Sequence, residues 1–351
     1  MVSAVASPAL DAVFVPFHQR ALTLPNGHRA LFSRARAGVW QSDFSALDWT
    51  CEQSFKPFAD ELERSGTRVS DAADGETFPL VVLLPPRQRD EARAAFVHAL
   101  RRREAGGIVV AAVANSEGAR SAEDDLRRLA GSVNVLSKHK CRVVWTEPGA
   151  PIDETLAEQW AALDTPRAIV DGRYTSRPGL FAWDRIDPAS ALLAAQWPET
   201  LSGRAADLGA GYGFLSCELL RRCAGITAID AYEAEARALD LARDNLSRAL
   251  RERASEAPAE VIWHDVTRGL SRRYDVIVSN PPFHQGRADL PDLGRAFIAA
   301  AASALEPHGV FWLVANRHLP YEALLGARFA SVRERAVGGG FKVYEASRPR
   351  A

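Results

Sequence analysis

The sequence predicts two tandem α/β domains, each a doubly wound, mostly parallel sheet, with the N-terminal copy degenerate. Three observations lead there. Across residues 166–351, short apolar runs alternate with helix-periodic segments, the pattern of parallel strands joined by helical crossovers. Residues 1–165 repeat the same order in a worn form. Between them lies "DTPRAIVDGRYTSRPGLFAWDRIDPASALLAAQWP", rich in Pro, Gly, Asp and Arg, which sets a boundary near residue 165.

In the C-terminal half, "RAADLGAGYG" reads as a strand over Ala205 to Leu208 that runs into a glycine loop. "FLSCELLRRCA" follows as a helix with Phe214, Cys217, Leu219 and Leu220 on one face. "GITAID" is a second strand, expected to end at Asp230, and "AEARALDLARDNLSRAL" a strongly periodic helix. "AEVIWHD" and "YDVIVSN" are further strands, expected to end at Asp265 and Asn280. "LGRAFIAAAASAL" is a helix closed by Glu306-Pro307-His308-Gly309. "GVFWLVAN" is a strand, and "FKVYEAS" a last one after the Gly338-Gly339-Gly340 turn. Apolar runs without alternation fit strands buried on both faces.

The N-terminal half carries the same script. "FPLVVLLPPRQRDEARAAFVHALRRREAGGIVVAAVAN" aligns with "YDVIVSNPPFHQG…LGRAFIAAAASALEPHGVFWLVAN", and "KHKCRVVW" with "GGFKVYEA". Pro85-Pro86 matches Pro281-Pro282, but Leu84 stands where the C-terminal copy has Asn280, and no glycine-rich strand–helix turn is present. The duplication is therefore one of fold without the glycine loop.

Composition bounds the function. The 351 residues are 47% hydrophobic and 25% charged, with a formal net charge of −1. A balanced charge means that any nucleic-acid surface must be a local patch. Positive charge is nearly all arginine; Lys56, Lys138, Lys140 and Lys342 are the only lysines. Cys51, Cys141, Cys217 and Cys223 form no C-x-x-C and no zinc spacing, so buried thiols in a reducing, cytoplasmic compartment and no metal are expected. The stretch "MVSAVASPALDAVFVPF" lacks a basic n-region and contains Asp11, unlike a signal peptide. No apolar run approaches the ~18 residues a membrane span needs, so no membrane partner is expected.

Two motifs carry chemistry. Asp207-Leu208-Gly209-Ala210-Gly211-Tyr212-Gly213 sits at a strand-to-helix turn, where glycines allow close approach to a ligand and the helix N-terminus offers free N–H groups. A dinucleotide site is one reading, but Phe214 stands where G-x-G-x-x-G needs its last glycine. Asp207 beside a pyrophosphate would also repel it. A carboxylate there suits a ligand with an amino group, such as S-adenosylmethionine (SAM). Asp230 lies near the ~20-residue offset at which an acidic side chain meets ribose hydroxyls. Asp265, at the next strand end, could accept from an adenine amino group.

The second motif is Asn280-Pro281-Pro282-Phe283. The prolines fix φ and remove N–H donors, leaving carbonyls exposed. The Asn280 and Pro281 carbonyls together can accept both hydrogens of a planar exocyclic amine, and Phe283 can stack on its ring. Such a clamp would aim the nitrogen lone pair at a methyl donor, with positioning supplying most of the catalysis.

"DLGAGYG", "AID", "HD" and "SNPPF", in this order, resemble a class I SAM-dependent methyltransferase of the N-P-P-aromatic, amino-methylating group. More narrowly, "RPGLFAWDRIDPASALL", "NPPFHQG" and "VANRHLPYEALL…FKVYEA" are similar to the two-domain guanine-N2 methyltransferases that act on small-subunit rRNA. The likeness covers residues 170–351 well and 1–165 more loosely. It implies two Rossmann-like methyltransferase domains. Residues 1–165 would be a degenerate one serving RNA recognition and folding, and 166–351 the catalytic one. It implies SAM as cofactor, ribosomal RNA or the 30S subunit as partner, and a monomer methylating guanine N2 in 16S rRNA. By motif, Asp207, Gly209, Ala210, Gly211, Gly213 and Asp230 would contact SAM, Asp265 its adenine, and Asn280, Pro281, Pro282 and Phe283 the acceptor. Gly179 to Asp187, including Phe181, would form a lid over the methionine end. Pro188-Ala189-Ser190 departs from the family's usual Gly-Ser, which bears on lid geometry. Arg177, Arg185, Arg287, Arg295 and Arg317 could meet phosphates. Other acceptors remain open to an N-P-P-[FY] site: 23S rRNA guanine N2, a protein glutamine or a DNA adenine. A non-catalytic ribosome-assembly factor and a nicotinamide oxidoreductase are further alternatives, opposed respectively by the intact Asn280 and by Phe214.

Overall fold

The computed structural model describes residues 7–70, 73, 75–254, 256–282, 284–285, 288–289 and 291–350. The chain divides into two compact units, one ending at Thr165 and the other beginning at Pro166.

In the first unit, α1 (Pro8–Val13), α2 (Val15–His18), β1 (Arg29–Ser33), α3 (Trp40–Asp43), β2 (Asp48–Glu52) and α4 (Lys56–Arg64) lead into β3 (Phe78–Leu83). Then come α5 (Arg89–Arg101), β4 (Arg103–Ala114), α6 (Ala119–Ala130), the hairpin of β5 (Val133–Lys138) and β6 (Cys141–Thr146), and α7 (Glu154–Ala161). The six strands order as β2-β1-β3-β4-β6-β5. Successive strand residues drop into opposite cores. Phe32, Val82 and Val110 join one cluster, and Leu31, Val81 and Val109 the other. That alternation is why these strands read as unbroken apolar runs.

The second unit starts with the short antiparallel pair β7 (Arg167–Ile169) and β8 (Tyr174–Ser176). It continues through α8 (Pro188–Ala195), β9 (Ser202–Leu208), α9 (Phe214–Arg222), β10 (Gly225–Glu233), α10 (Ala236–Glu252), β11 (Ala259–Trp263) and β12 (Tyr274–Ser279). After β13 (His284–Gln285) and β14 (Ala288–Asp289) come α11 (Pro291–Ala304), β15 (Leu305–Asn316), α12 (Glu322–Arg328), β16 (Phe329–Gly338) and β17 (Phe341–Pro349). The main sheet orders as β11-β10-β9-β12-β15-β17-β16. Helices α8, α9 and α10 cover one face, where Leu193, Leu219 and Leu246 meet Val276 and Val278. Helices α11 and α12 cover the other, where Ile298 and Leu325 pack with Ile277 and Phe311. All four cysteines are buried and free; burial pushes the Cys51 and Cys217 thiols up to about 12, so they act as small apolar side chains.

The duplication is visible in topology. Strands β1, β2, β3 and β4 pair parallel as β9, β10, β12 and β15 do, and each sheet finishes with the same two antiparallel pairings. In the first unit the place of β11 is taken by a single parallel bridge, Cys51 to Val69, with Ser70 N donating to the Cys51 carbonyl at 3.0 Å. Strand β16 went unread in the sequence. Its "FASVRERAVG" is the sheet's edge and half of its residues are exposed, so charge replaces the apolar run that marks an interior strand.

Candidate active site

Strands β9 and β12 are parallel neighbours, yet the chain continues from them to opposite sides of the sheet, β10 on one and β15 on the other. A crevice opens at such a switch point, beyond the carboxyl ends. The register is close: Leu208 is level with both Tyr232 and Ser279. The next residue of each chain, Gly209, Glu233 and Asn280, therefore emerges along one rim.

The glycine loop is strapped to β10. The N–H groups of Gly209 and Ala210 both donate to the Tyr232 carbonyl, at 2.9 and 3.0 Å. Gly211 has φ +56 and open space where a Cβ would sit, so the backbone can approach a ligand there. Gly213, φ +90, begins α9 with Ala242 3.5 Å from its would-be Cβ. Asp207 is fully buried. Its Oδ2 accepts from Ser216 N at 3.0 Å and Ser216 Oγ at 2.7 Å, the first turn of α9. Its Oδ1 is buried with no hydrogen-bond partner among the described residues. Burial pushes the carboxyl up to about 7; the Ser216 donors pull it down by less, and the nearby Glu233 adds a small push in the same direction as burial. A buried acceptor of this kind calls for a donor, and a cation best of all.

One expectation is corrected. The second strand does not end at Asp230. It runs on to Glu233, and Asp230 lies inside the sheet, 2% exposed. Its Oδ2 accepts from Tyr274 Oη at 2.8 Å, Arg272 Nη1 at 3.0 Å and Arg204 Nη1 at 3.2 Å. Such a network is structural and leaves no rim position for a ligand. The carboxylate at the strand end is Glu233. Its Oε2 accepts from Gly211 N at 2.7 Å and its Oε1 from Glu235 N at 2.8 Å. Burial raises its carboxyl above the usual range against the pull of these backbone donors. Sequence reasoning missed it because "AID" stops three residues short in an apolar run that continues through "AY". Asp265 follows β11 and caps a single 3-10 turn, its Oδ1 accepting from Thr267 N at 3.0 Å and Thr267 Oγ1 at 2.7 Å.

Asn280 directly follows β12, beside Ser279, whose hydroxyl donates to the Leu208 carbonyl at 2.8 Å. The Asn280 Nδ2 donates to Asp187 Oδ2 at 2.9 Å and Ser190 Oγ at 2.8 Å. Asp187 also caps α8, accepting from Ser190 N at 2.8 Å, with Pro188 in the first turn as that position favours. So Asp187, expected among the cofactor residues, has its Oδ2 on the Asn280 amide at the start of the N-P-P turn. Pro281 is buried and Pro282 exposed. Phe283 and Arg287 lie outside the described residues. The segment from 177 to 187 is tied to the loop and to α10. Tyr212 Oη donates to the Arg185 carbonyl at 3.1 Å and Arg237 Nη2 to the Pro178 carbonyl at 3.0 Å. Phe181 on that segment is 67% exposed. Arg185 pairs with Asp184 at 2.8 Å and Arg295 with Asp292 at 2.5 Å, both at the surface, where such pairs are weak.

The first unit preserves the frame and replaces the chemistry. There Ser33 is level with Glu52 and Leu83, as Leu208 is with Tyr232 and Ser279. Arg34 thus stands for Gly209, Gln53 for Glu233 and Leu84 for Asn280. Gln53 keeps the brace, its Oε1 accepting from Phe55 N at 2.9 Å two residues on, as Glu233 accepts from Glu235. Its Nε2 donates to the Ala35 carbonyl at 2.6 Å, where Glu233 instead accepts from the loop. Arg34 holds its positive φ, +58, and pairs with Glu91 at 2.9 Å.

Among the described residues no group of three or more His, Cys, Asp and Glu side chains could hold a metal ion. No helix among them is long and apolar enough to cross a membrane.

Comparison with known proteins agrees with this architecture. Residues 171–345 match the Methyltransferase small domain family. The chain is 30% identical over 278 residues to Ribosomal RNA small subunit methyltransferase C of Sodalis glossinidius, covering 79% of this chain and 76% of that protein. It is 27% identical over 288 residues to the protein of the same name from Psychromonas ingrahamii, covering 81% and 80%. Among solved structures, a T. thermophilus 16S rRNA N2 G1207 methyltransferase in complex with AdoMet and guanosine superposes with a TM-score of 0.78 at 29% identity. The match covers 99% of this chain and 93% of that one.

Proposed function

The chain belongs to the ribosomal RNA small subunit methyltransferase C family, and on that premise we propose that it methylates the exocyclic N2 amine of a guanine in 16S rRNA, using SAM. The observation that carries the reading is the Asn280 amide. Both of its N–H bonds are directed at Asp187 and Ser190, so its carbonyl remains to accept from a substrate amine.

The residues of the crevice fit SAM. The unpartnered Oδ1 of Asp207 and the Glu233 carboxylate suit a cationic ligand that also bears ribose hydroxyls. Gly209, Ala210, Gly211 and Gly213 give it a backbone cradle, open at Gly211. Glu233 takes the ribose role first expected of Asp230, Asp265 the adenine, and the segment carrying Phe181 covers the opposite side. When bound, SAM supplies an electrophilic methyl group.

The protein's own work is positioning. The Asn280 and Pro281 carbonyls accept the two amine hydrogens, holding N2 in one plane and one direction. Phe283 stacks on the base by its place in the motif. A nitrogen so held attacks without a strong base and sheds its proton afterwards. The first unit supports folding and RNA recognition, a role consistent with its intact sheet and lost Asn280 counterpart. The protein acts as a cytoplasmic monomer on RNA of the small subunit.

The test is mass-spectrometric mapping of rRNA methyl marks in cells with and without the gene. It is paired with tritiated SAM incorporation into 30S subunits, naked rRNA and release factor. One guanine-N2 mark in 16S rRNA that disappears with the gene supports the reading. An unchanged rRNA pattern, or label confined to release factor, refutes it.

A further inference from the structure

We propose that Asp187 and Ser190 are positioning residues for methyl transfer, locking the Asn280 amide with its carbonyl toward the acceptor; this rests on the reading of Asn280 as the acceptor clamp.

An asparagine amide is nearly symmetric in shape, and turning it by a half-rotation exchanges an acceptor for a donor. In a clamp built to accept from –NH2, the wrong orientation would set N–H against N–H. Nothing in Asn280-Pro281-Pro282 prevents that turn. The restraint comes from far along the chain. Asp187 Oδ2, which only accepts, stands 2.9 Å from Nδ2, and Ser190 Oγ stands 2.8 Å from the same atom. Turning the amide would press its oxygen on the Asp187 carboxylate, an electrostatic clash close to the crevice wall. Ser190 is 7% exposed, so its hydroxyl is held in place.

The same Asp187 oxygen caps α8 at Ser190 N, 2.8 Å away, and closes the 177–187 segment whose other end is anchored through Arg237 and Tyr212. Seating that segment and orienting Asn280 are thus one event. The arrangement also sets specificity by chemical class: the site accepts groups that donate N–H, and refuses a carbonyl at the same point.

The experiment is an exchange of the two side chains. Methylation of small-subunit rRNA with tritiated SAM is measured for the wild type, Asp187→Asn, Asn280→Asp, the double exchange and Ser190→Ala. SAM affinity is measured by calorimetry alongside. Each single exchange is expected to lower kcat by roughly 30-fold or more, with SAM affinity within about threefold, because one creates an ambiguous amide pair and the other opposes two carboxylates. The double exchange restores a donor facing an acceptor and should recover about tenfold over Asn280→Asp alone. Ser190→Ala should cost about three- to tenfold in kcat with KM for RNA unchanged. Asp187→Ser, which keeps a helix cap but not the carboxylate, should fall as Asp187→Asn does. The proposal is overturned if Asp187→Asn and Asp187→Ser both stay within twofold of wild type, or if a double exchange that still binds SAM is no better than Asn280→Asp. Should the double exchange lose SAM binding, unchanged kcat in both Ser190→Ala and Asp187→Ser overturns it, and loss in both supports it. Full activity in Asn280→Ala would sink the acceptor reading itself, a result separate from any of these.

Discussion

The SAM-free protein is expected to lose stability between pH 5 and pH 8 on account of Asp207. Its carboxyl titrates near 7 when folded, against a usual value of 3.8, because burial disfavours the charge. The folded state therefore keeps a proton that the unfolded chain has already released. Stability from this group is full below the unfolded value and declines as pH rises through the folded one. The gap sets a ceiling of about 4 kcal/mol at 1.36 kcal/mol per unit, of which roughly 2–3 kcal/mol falls between pH 5 and 8. For a unit of this size that is about 5–10 °C in Tm. The assay is thermal and urea denaturation of wild type and Asp207→Asn at four pH values, following the transition that SAM shifts. Glu233, also raised, moves the same way, so the readable quantity is the difference between the two proteins. Asp207→Asn should gain on wild type by roughly 2–3 kcal/mol from pH 5 to pH 8. SAM at saturation should flatten the wild-type slope, since a cation beside Oδ1 favours the ionised form, and its binding near pH 6.5 should release a proton. A difference constant to within about 0.5 kcal/mol across the range would refute the reasoning, because the pH slope cannot then arise from Asp207.

Asn280→Ala removes the acceptor and should lower kcat by roughly 100-fold, about 2.7 kcal/mol, while calorimetry shows SAM affinity unchanged. Glu233→Gln and Asp230→Asn should separate ligand from scaffold. The first is expected to weaken SAM binding about tenfold with little change in Tm. The second should leave SAM affinity intact but destabilise by roughly 2 kcal/mol, as Arg204, Arg272 and Tyr274 lose a shared acceptor and the two arginines are partly solvated. Gly211→Val places a branched side chain at φ +56 in the open space of the cradle; it should cost about 1–2 kcal/mol in denaturation and far more, tenfold or greater, in SAM affinity.

What the sequence made legible follows from which interactions are local. Interior strands such as β12 and β15 announce themselves, since both faces are buried and the apolar run is continuous. The glycine loop and N-P-P turn are equally local, each a backbone constraint written in adjacent residues. Strand β16 was hidden by its edge position, and the end of β10 by apolar residues that continue past Asp230 to the rim. The orientation of Asn280 was out of reach altogether. It depends on side chains 93 and 90 residues away, and no spacing rule links them.

The two copies within the chain act as a control on which residues are frame and which are chemistry. A feature kept in both belongs to the sheet: the parallel pairings, the antiparallel ending, and the side-chain oxygen that braces the turn after the second strand, Glu233 in one and Gln53 in the other. A feature present in one copy alone is what the crevice needs beyond folding. By that subtraction the negative charge of Glu233 is not required for the brace, because the neutral Gln53 makes the same i to i+2 bond. What the crevice adds is the second oxygen, Oε2, which accepts from Gly211 N where Gln53 instead donates to Ala35. Glu233→Gln keeps the brace but removes that acceptor together with the charge, so the fold should stay sound while the glycine loop and the cofactor site weaken. The same subtraction applies to Asn280. Leu84 satisfies the first unit in that position with a buried side chain, so an amide there serves no need of the sheet. Its partners Asp187 and Ser190 belong to α8, on the covering face of the second unit, and hold in place a group whose only remaining capacity is to accept.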